Sequence, residues 1–242
     1  MIFHVSRCAC RMNPSKKTIQ LGCMLLLIEG AYMAASRWAF WSLGHGITSE
    51  FWRTGIRTAA ALCLYLFFKK TLFSRTPEQD FWRSPIAVAS LVFMVLAGLA
   101  PMSLQEPTSV QWVFIATSLM VGVHEEFLFR GLLLNWFEKR MGTGLAIVVT
   151  VSLFCLFHLG LRGLYFPVYL EIFMAGVVLS AAYLLSGSLW LVVLLHAGYD
   201  MLRVMHFQRN PLDWPTLLAF LLAATIAGIA ALVLQNRRLL SP

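Results

Sequence analysis

Long apolar runs recur along the chain, at roughly residues 20–43, 55–73, 85–102, 111–138, 144–161, 166–185, 188–206 and 214–235, with most of the charges in the short stretches between them. Each run is near the ~20 residues a helix needs to cross a bilayer, and each is too long for a membrane β-strand. Hydrocarbon offers no water to backbone N–H and C=O groups, so helices that satisfy their own are the expected element. The pattern therefore predicts an all-α protein, a polytopic transmembrane helical bundle of about eight spans. No internal repeat, low-complexity tract or polar linker divides it. Residues 19–242 read as a single transmembrane domain behind a basic N-terminal stretch, residues 1–18.

Composition strengthens this picture. Of 242 residues 59% are hydrophobic and only 12% charged, about half the charged share of a soluble domain. Disorder and a disulfide-stapled secreted fold are excluded by the same figures. The five cysteines are odd in number and scattered, and they read as small hydrophobic residues rather than a framework. Arg7, Arg11, Lys16 and Lys17 resemble the charged region of a signal peptide. Glu29, Arg37 and the length of the following run favour a retained helix instead.

The net charge of +8 raises the question of nucleic acid, but the Lys and Arg residues flank apolar runs and form no basic face. With the N-terminus inside, twelve of them fall in inner loops and five in outer loops, the latter being Arg53, Arg57, Arg162, Arg203 and Arg209. Both termini are thus expected to be cytoplasmic, with the lipid bilayer as the partner and no nucleic acid.

Ionisable groups inside apolar spans cost several kcal/mol each and so demand a reason. They gather in three places: His124-Glu125-Glu126 with Arg130 in the fourth run, Phe154 with His158 in the fifth, and His196 with Asp200 in the seventh. Glu126 and Arg130 stand four apart with the acid first, the order that favours an ion pair along one helix face. Glu125 is turned about 100° from Glu126, so Arg130 does not serve both. His196 and Asp200 also share a face, and Phe154 lies one turn from His158, where it limits the imidazole's rotation. Counted at 1.5 Å per residue, Glu125, His158 and His196 reach overlapping depths near the midplane.

A carboxylate and two imidazoles gathered in an intramembrane cavity can activate water. In that reading Glu125 is the general base, His158 positions the water or donates to the leaving amine, and His196, oriented by Asp200, stabilises the oxyanion. Glu126, Arg130 and Phe154 support them. The same Glu125, His158, His196 and Asp200 also offer nitrogen and oxygen ligands suited to zinc. Two readings of the cofactor therefore stand, none or zinc. His124 reads as a neighbour facing another helix, while Glu29, Arg37 and Glu171 read as pairing across helices.

Glu125-Glu126-x-x-x-Arg130, Phe154-x-x-x-His158 and His196-x-x-x-Asp200, in that order on successive apolar helices, resemble the CPBP family of intramembrane proteases, which includes CAAX-processing and bacteriocin-processing (Abi) members. The resemblance covers about residues 110–205. It implies a helical bundle with a mid-membrane cavity in which Glu125 activates water and His158 shares it. Glu126 and Arg130 support that acid, and His196 with Asp200 forms the oxyanion side. Asp200 stands where CAAX-processing members often carry Asn, so the substrate expected is a peptide or membrane-anchored protein more broadly, such as a C-terminal membrane-anchoring or sorting tail. The setting implied is the bacterial inner membrane, with a multi-pass plasma-membrane topology. The rival readings are a non-catalytic membrane protein of the same fold that binds and regulates a partner, and a proton-coupled transporter using the same acid and imidazoles.

Overall fold

In the computed structural model, described for residues 16–44, 46–75, 92, 109–159, 166–205 and 214–239, every element is helical. Helices α1 (Lys16–Leu43) and α2 (Ile47–Leu72) come first. Helix α3 (Ser109–Glu126) runs without a break into a π-helical segment (Phe127–Leu134) and on into α4 (Asn135–Met141). Then follow α5 (Thr143–Phe157), α6 (Phe166–Ser186), α7 (Leu189–Met205) and α8 (Trp214–Leu239). The expected span at 85–102 lies outside the described residues, apart from residue 92. So do Cys8, Cys10, Arg162, Arg209 and most of the basic N-terminal stretch.

Among the described residues, three helical stretches are long and apolar enough to cross a membrane: Ile19–Leu43, Gln111–Met141 and Val168–Ser186. Thr143–Phe157 and Leu189–Met201 are apolar but shorter. The protein is thus a helical membrane protein. Helix α1 turns Leu26, Leu27 and Trp41 outward at 75%, 73% and 80% exposure, an apolar surface that lipid covers and water would not.

Helix α3 packs between α2 and α7, and α6 packs against α5, α7 and α8. The π segment touches α2, α5, α6 and α7, and its residues are buried almost throughout. In lipid, burial of apolar surface does not drive one helix onto another, so close packing must. Glycines make it possible: a Cβ on Gly122 would come within 2.9 Å of the Val193 carbonyl oxygen on α7, and one on Gly176 within 2.9 Å of Val151 Cγ1 on α5. Two tight turns set the antiparallel order. Gly142 (φ 80°) and Gly187 (φ 64°) adopt the left-handed backbone that ends a helix cheaply only at glycine. Next to Gly187 the Ser188 hydroxyl accepts from Leu191 N–H at 3.3 Å and caps the start of α7.

The structure departs from the sequence expectations at two helix ends. Helix α2 begins at Ile47 rather than near residue 55, so Arg53 and Arg57 are helical and belong to no outer loop. Both pair with Glu50 on the same helix, at 3.2 and 2.8 Å, which gives the charges an internal partner. Helix α5 stops at Phe157, short of residue 161. The His158 ring Nδ1 takes the Phe154 carbonyl at 2.8 Å, the acceptor its own backbone N–H would need to continue the helix. That N–H turns to Cys155 O instead, at 3.1 Å, and Leu159 N–H to Leu156 O at 3.0 Å. His158 therefore lies on a tightened last turn.

Candidate active site

Glu125 and Glu126 close α3 at the point where its hydrogen bonding changes to the π pattern. Single π turns inside α-helices recur at functional sites, and here the wider turn still stacks Arg130 over Glu126. Arg130 Nη1 donates to Glu126 Oε1 at 2.8 Å, with both side chains fully buried. Its Nη2 donates to the Gly176 carbonyl on α6 at 3.0 Å, and the guanidinium lies 4.7 Å above the Phe154 ring. A buried cation with a carboxylate, a carbonyl and a π face around it is one a membrane interior tolerates.

Glu126 does more than pair with Arg130. Its Oε1 also accepts from His196 Nδ1 at 2.6 Å. An ionised carboxylate accepts only, so Nδ1 carries the hydrogen and Nε2 is the ring atom left for chemistry. This revises the orienting role read for Asp200: its Oδ2 stands 3.6 Å from His196 Nε2, while Glu126 holds the other nitrogen. The physical reason is proximity, since Gly122 lets α7 lie directly against the turn that carries Glu126.

Glu125 faces both imidazoles. Its Oε2 is 3.7 Å from His158 Nε2 and 3.8 Å from His196 Nε2, and among the described residues that buried oxygen has no hydrogen-bond partner. His158 is oriented by its Nδ1 donating to Phe154 O, which can only accept, so in the neutral ring Nε2 is an acceptor. Phe154 meets the His158 ring edge-on at 4.7 Å, as its spacing predicts. A carboxylate oxygen and a basic imidazole nitrogen, both acceptors, thus face each other at a separation that a donor of two hydrogens spans.

The cluster opens on one side. Glu125 and His196 side chains are each 7% exposed, whereas His158 and Asp200 are 22% and 31% exposed. All the sequence-predicted residues (Glu125, Glu126, Arg130, Phe154, His158, His196 and Asp200) are linked through contacts within this one region. As the side chains stand, no group of three or more His, Cys, Asp or Glu among the described residues is set to hold a metal ion.

Glu29, Arg37 and Glu171 pair across helices as their sequence context leads one to expect, though spacing does not name their partners. His124 is fully buried, its Nε2 3.3 Å from Glu29 Oε1 on α1, and its ring lies 4.2 Å from that of Tyr32. Arg37 donates to the Leu159 carbonyl at 3.2 Å, and Tyr199 donates to Glu171 Oε1 at 2.5 Å. Gly176 offers a backbone acceptor, for which the only signal is a glycine amid large apolar residues. Cys155 carries a free thiol beside the site, and its Sγ contacts the Tyr169 carbonyl at 3.9 Å.

Residues 107–202 match a family model, that of the type II CAAX prenyl endopeptidase Rce1-like proteins. No curated protein and no solved structure matches the chain. The matched segment contains every predicted site residue and lies within one helical bundle, so over residues 107–202 the chain matches the CAAX-protease family that its motifs resemble.

Proposed function

We propose that the protein is an intramembrane endopeptidase in which Glu125 and His158 activate a water molecule to hydrolyse a peptide bond. The observation that carries this reading is the Glu125 Oε2 oxygen, buried, without a hydrogen-bond partner among the described residues, and equidistant within 0.1 Å of two imidazole nitrogens on two other helices. Water donates one hydrogen to Glu125 and one to neutral His158 Nε2, and its lone pair is then aimed at a carbonyl carbon. As the C–O bond forms, Glu125 takes the proton from the water. The carbonyl oxygen becomes an oxyanion within reach of His196 Nε2. Because Nδ1 already donates to Glu126, that role needs the doubly protonated ring. Collapse breaks the C–N bond, and the proton held by Glu125 passes to the leaving amine, directly or through His158. Arg130 neutralises Glu126 and ties it to α6, so that the charge beside the reacting acid has a fixed position.

Around this chemistry stand the wider elements of the reading: about eight spans, a cavity at mid-membrane depth, a bacterial plasma-membrane setting with both termini cytoplasmic, and a substrate that is a peptide or the C-terminal anchoring tail of a membrane protein. The test compares protein termini in membranes of cells carrying the native chain and Glu125→Ala. A set of termini present only with the native chain is expected and names the substrates. Identical termini in the two strains remove the endopeptidase reading.

A further inference from the structure

The reacting groups lie on α3, α5 and α7, all within the family-matched segment or at its edge, and side chains of α1 reach the first two of these helices next to the reacting residues. Tyr32, itself buried, packs against both His124 on α3, at 4.2 Å between ring centroids, and Phe157 on α5, stacked at 5.9 Å, and those two rings meet each other at 6.3 Å. His124 directly precedes Glu125, and Phe157 directly precedes His158. On either side of Tyr32, α1 adds two polar ties: Glu29 Oε1 to His124 Nε2 at 3.3 Å, and Arg37 to the carbonyl of Leu159, the residue after His158. One helix outside the matched segment thus touches the immediate neighbours of two of the reacting residues, Glu125 and His158.

We infer that α1 is a positioning brace, in which the Tyr32 ring, with Glu29 and Arg37, sets the separation between Glu125 and His158. The inference rests on the endopeptidase reading, and it adds residues that act through others and touch no substrate. The mechanical argument is short. A rotation of α3 by about 20° would carry a carboxylate ~5 Å from the helix axis through roughly 2 Å. Such a displacement would separate Glu125 from an imidazole that now stands 3.7 Å away. On its other face α3 is held by the tight approach of Gly122 to α7 and by Glu126. Two turns before His124, on the same face, Thr117 donates to Glu50 of α2 at 3.2 Å. Rotation of α3 is therefore opposed from α1 and α2 on one side and from α7 on the other. The last turn of α5 has fewer ties of its own, because His158 has taken the carbonyl that would continue the helix. There Phe157 against Tyr32, and Leu159 O against Arg37, supply the missing constraint.

The test uses the full chain in detergent, with an internally quenched peptide copied from the strongest Glu125-dependent cleavage site. Tyr32→Ala is expected to lower kcat by about 30-fold with KM within about twofold, as a displacement of an ångström or so costs. Tyr32→Phe, which keeps the ring, is expected to stay within about twofold of native in kcat. Glu29→Ala is expected to fall between them. Native kcat in Tyr32→Ala, a loss explained wholly by a smaller folded fraction, or Tyr32→Phe as impaired as Tyr32→Ala would overturn the brace. Nitrogen-labelled histidine spectra provide a readout without turnover: the His158 ring signals are expected to move in Tyr32→Ala and return in Tyr32→Phe, and spectra unchanged in both would overturn it as well. A native chain that produces no Glu125-dependent termini defeats the endopeptidase reading alone, and the spectra then still decide whether α1 holds His158.

Discussion

Glu50 and Glu125 are both carboxylates buried inside the same bundle, and their surroundings could hardly differ more. Glu50 receives Arg57 at 2.8 Å, Arg53 at 3.2 Å and the Thr117 hydroxyl at 3.2 Å, so both of its oxygens are engaged at hydrogen-bond distance. Glu125 has two imidazoles drawn up to one oxygen, but both stop at 3.7–3.8 Å. The first arrangement makes a membrane charge tolerable, and its donors leave little room for a guest. The second places basic nitrogens around an acceptor and leaves to a small donor the task of joining them. Glu126, adjacent in sequence, belongs with Glu50 in kind: its Oε1 is held by Arg130 and His196 while its other oxygen has no partner among the described residues.

Substitutions that exchange these two environments test the contrast. The largest effect is expected from Glu125→Gln, which is isosteric but cannot accept a proton. It lowers kcat by about 10³-fold, the scale of a lost general base, while the melting temperature in detergent stays near native. Glu50→Gln gives the opposite signature. Removing one partner of a buried ion pair costs about 3–5 kcal/mol, seen as a lower melting temperature, with kcat per folded molecule close to native. If Glu50→Gln abolished turnover in fully folded protein, the distinction between a structural and a reacting carboxylate would fall.

Smaller changes sharpen the picture. Asp200→Asn is expected to keep activity within about tenfold, because His196 is oriented through Nδ1 by Glu126 and a neutral amide still faces Nε2. Loss beyond 10²-fold would assign Asp200 a charge-dependent role. The smallest effect is expected from removing divalent metal: dialysis against a strong chelator leaves turnover within about twofold if the chain's own acid and imidazoles activate water. Loss of activity restored by added zinc would move the mechanism to a coordinated form, in which Glu125, His158 and His196 would hold the metal and it would supply the activated water.

Much of the site was legible because helical spacing is local. Four-residue intervals placed Arg130 over Glu126, Phe154 beside His158 and Asp200 near His196, and the structure has all three contacts. What spacing cannot carry is which helix lies against which. That Glu126 rather than Asp200 holds His196 depends on α7 packing tightly on α3, and the glycine that allows it, Gly122, looks in sequence like any other small residue in an apolar run. Tyr32 carries no local mark of its role, because its partners, His124 and Phe157, lie more than ninety positions away. The helical start of α2 was missed for a related reason. Glu50, Arg53 and Arg57 lower the apolar average of that stretch, and their mutual pairing, which makes them tolerable, shows only once the helix is wound.

The short turn at Gly187 has a consequence for movement. Arg130 grips α6 through the Gly176 carbonyl, and Glu126 grips α7 through His196, and these two helices are the arms of one tightly closed hairpin. Glu126, Arg130 and His196 are therefore tied together across both arms of that hairpin. His158, seated on the overwound tip of α5, is held from a different quarter, through the contacts of Phe157 and Leu159 with α1, so a shift of α1 against this hairpin would change its distance from Glu125.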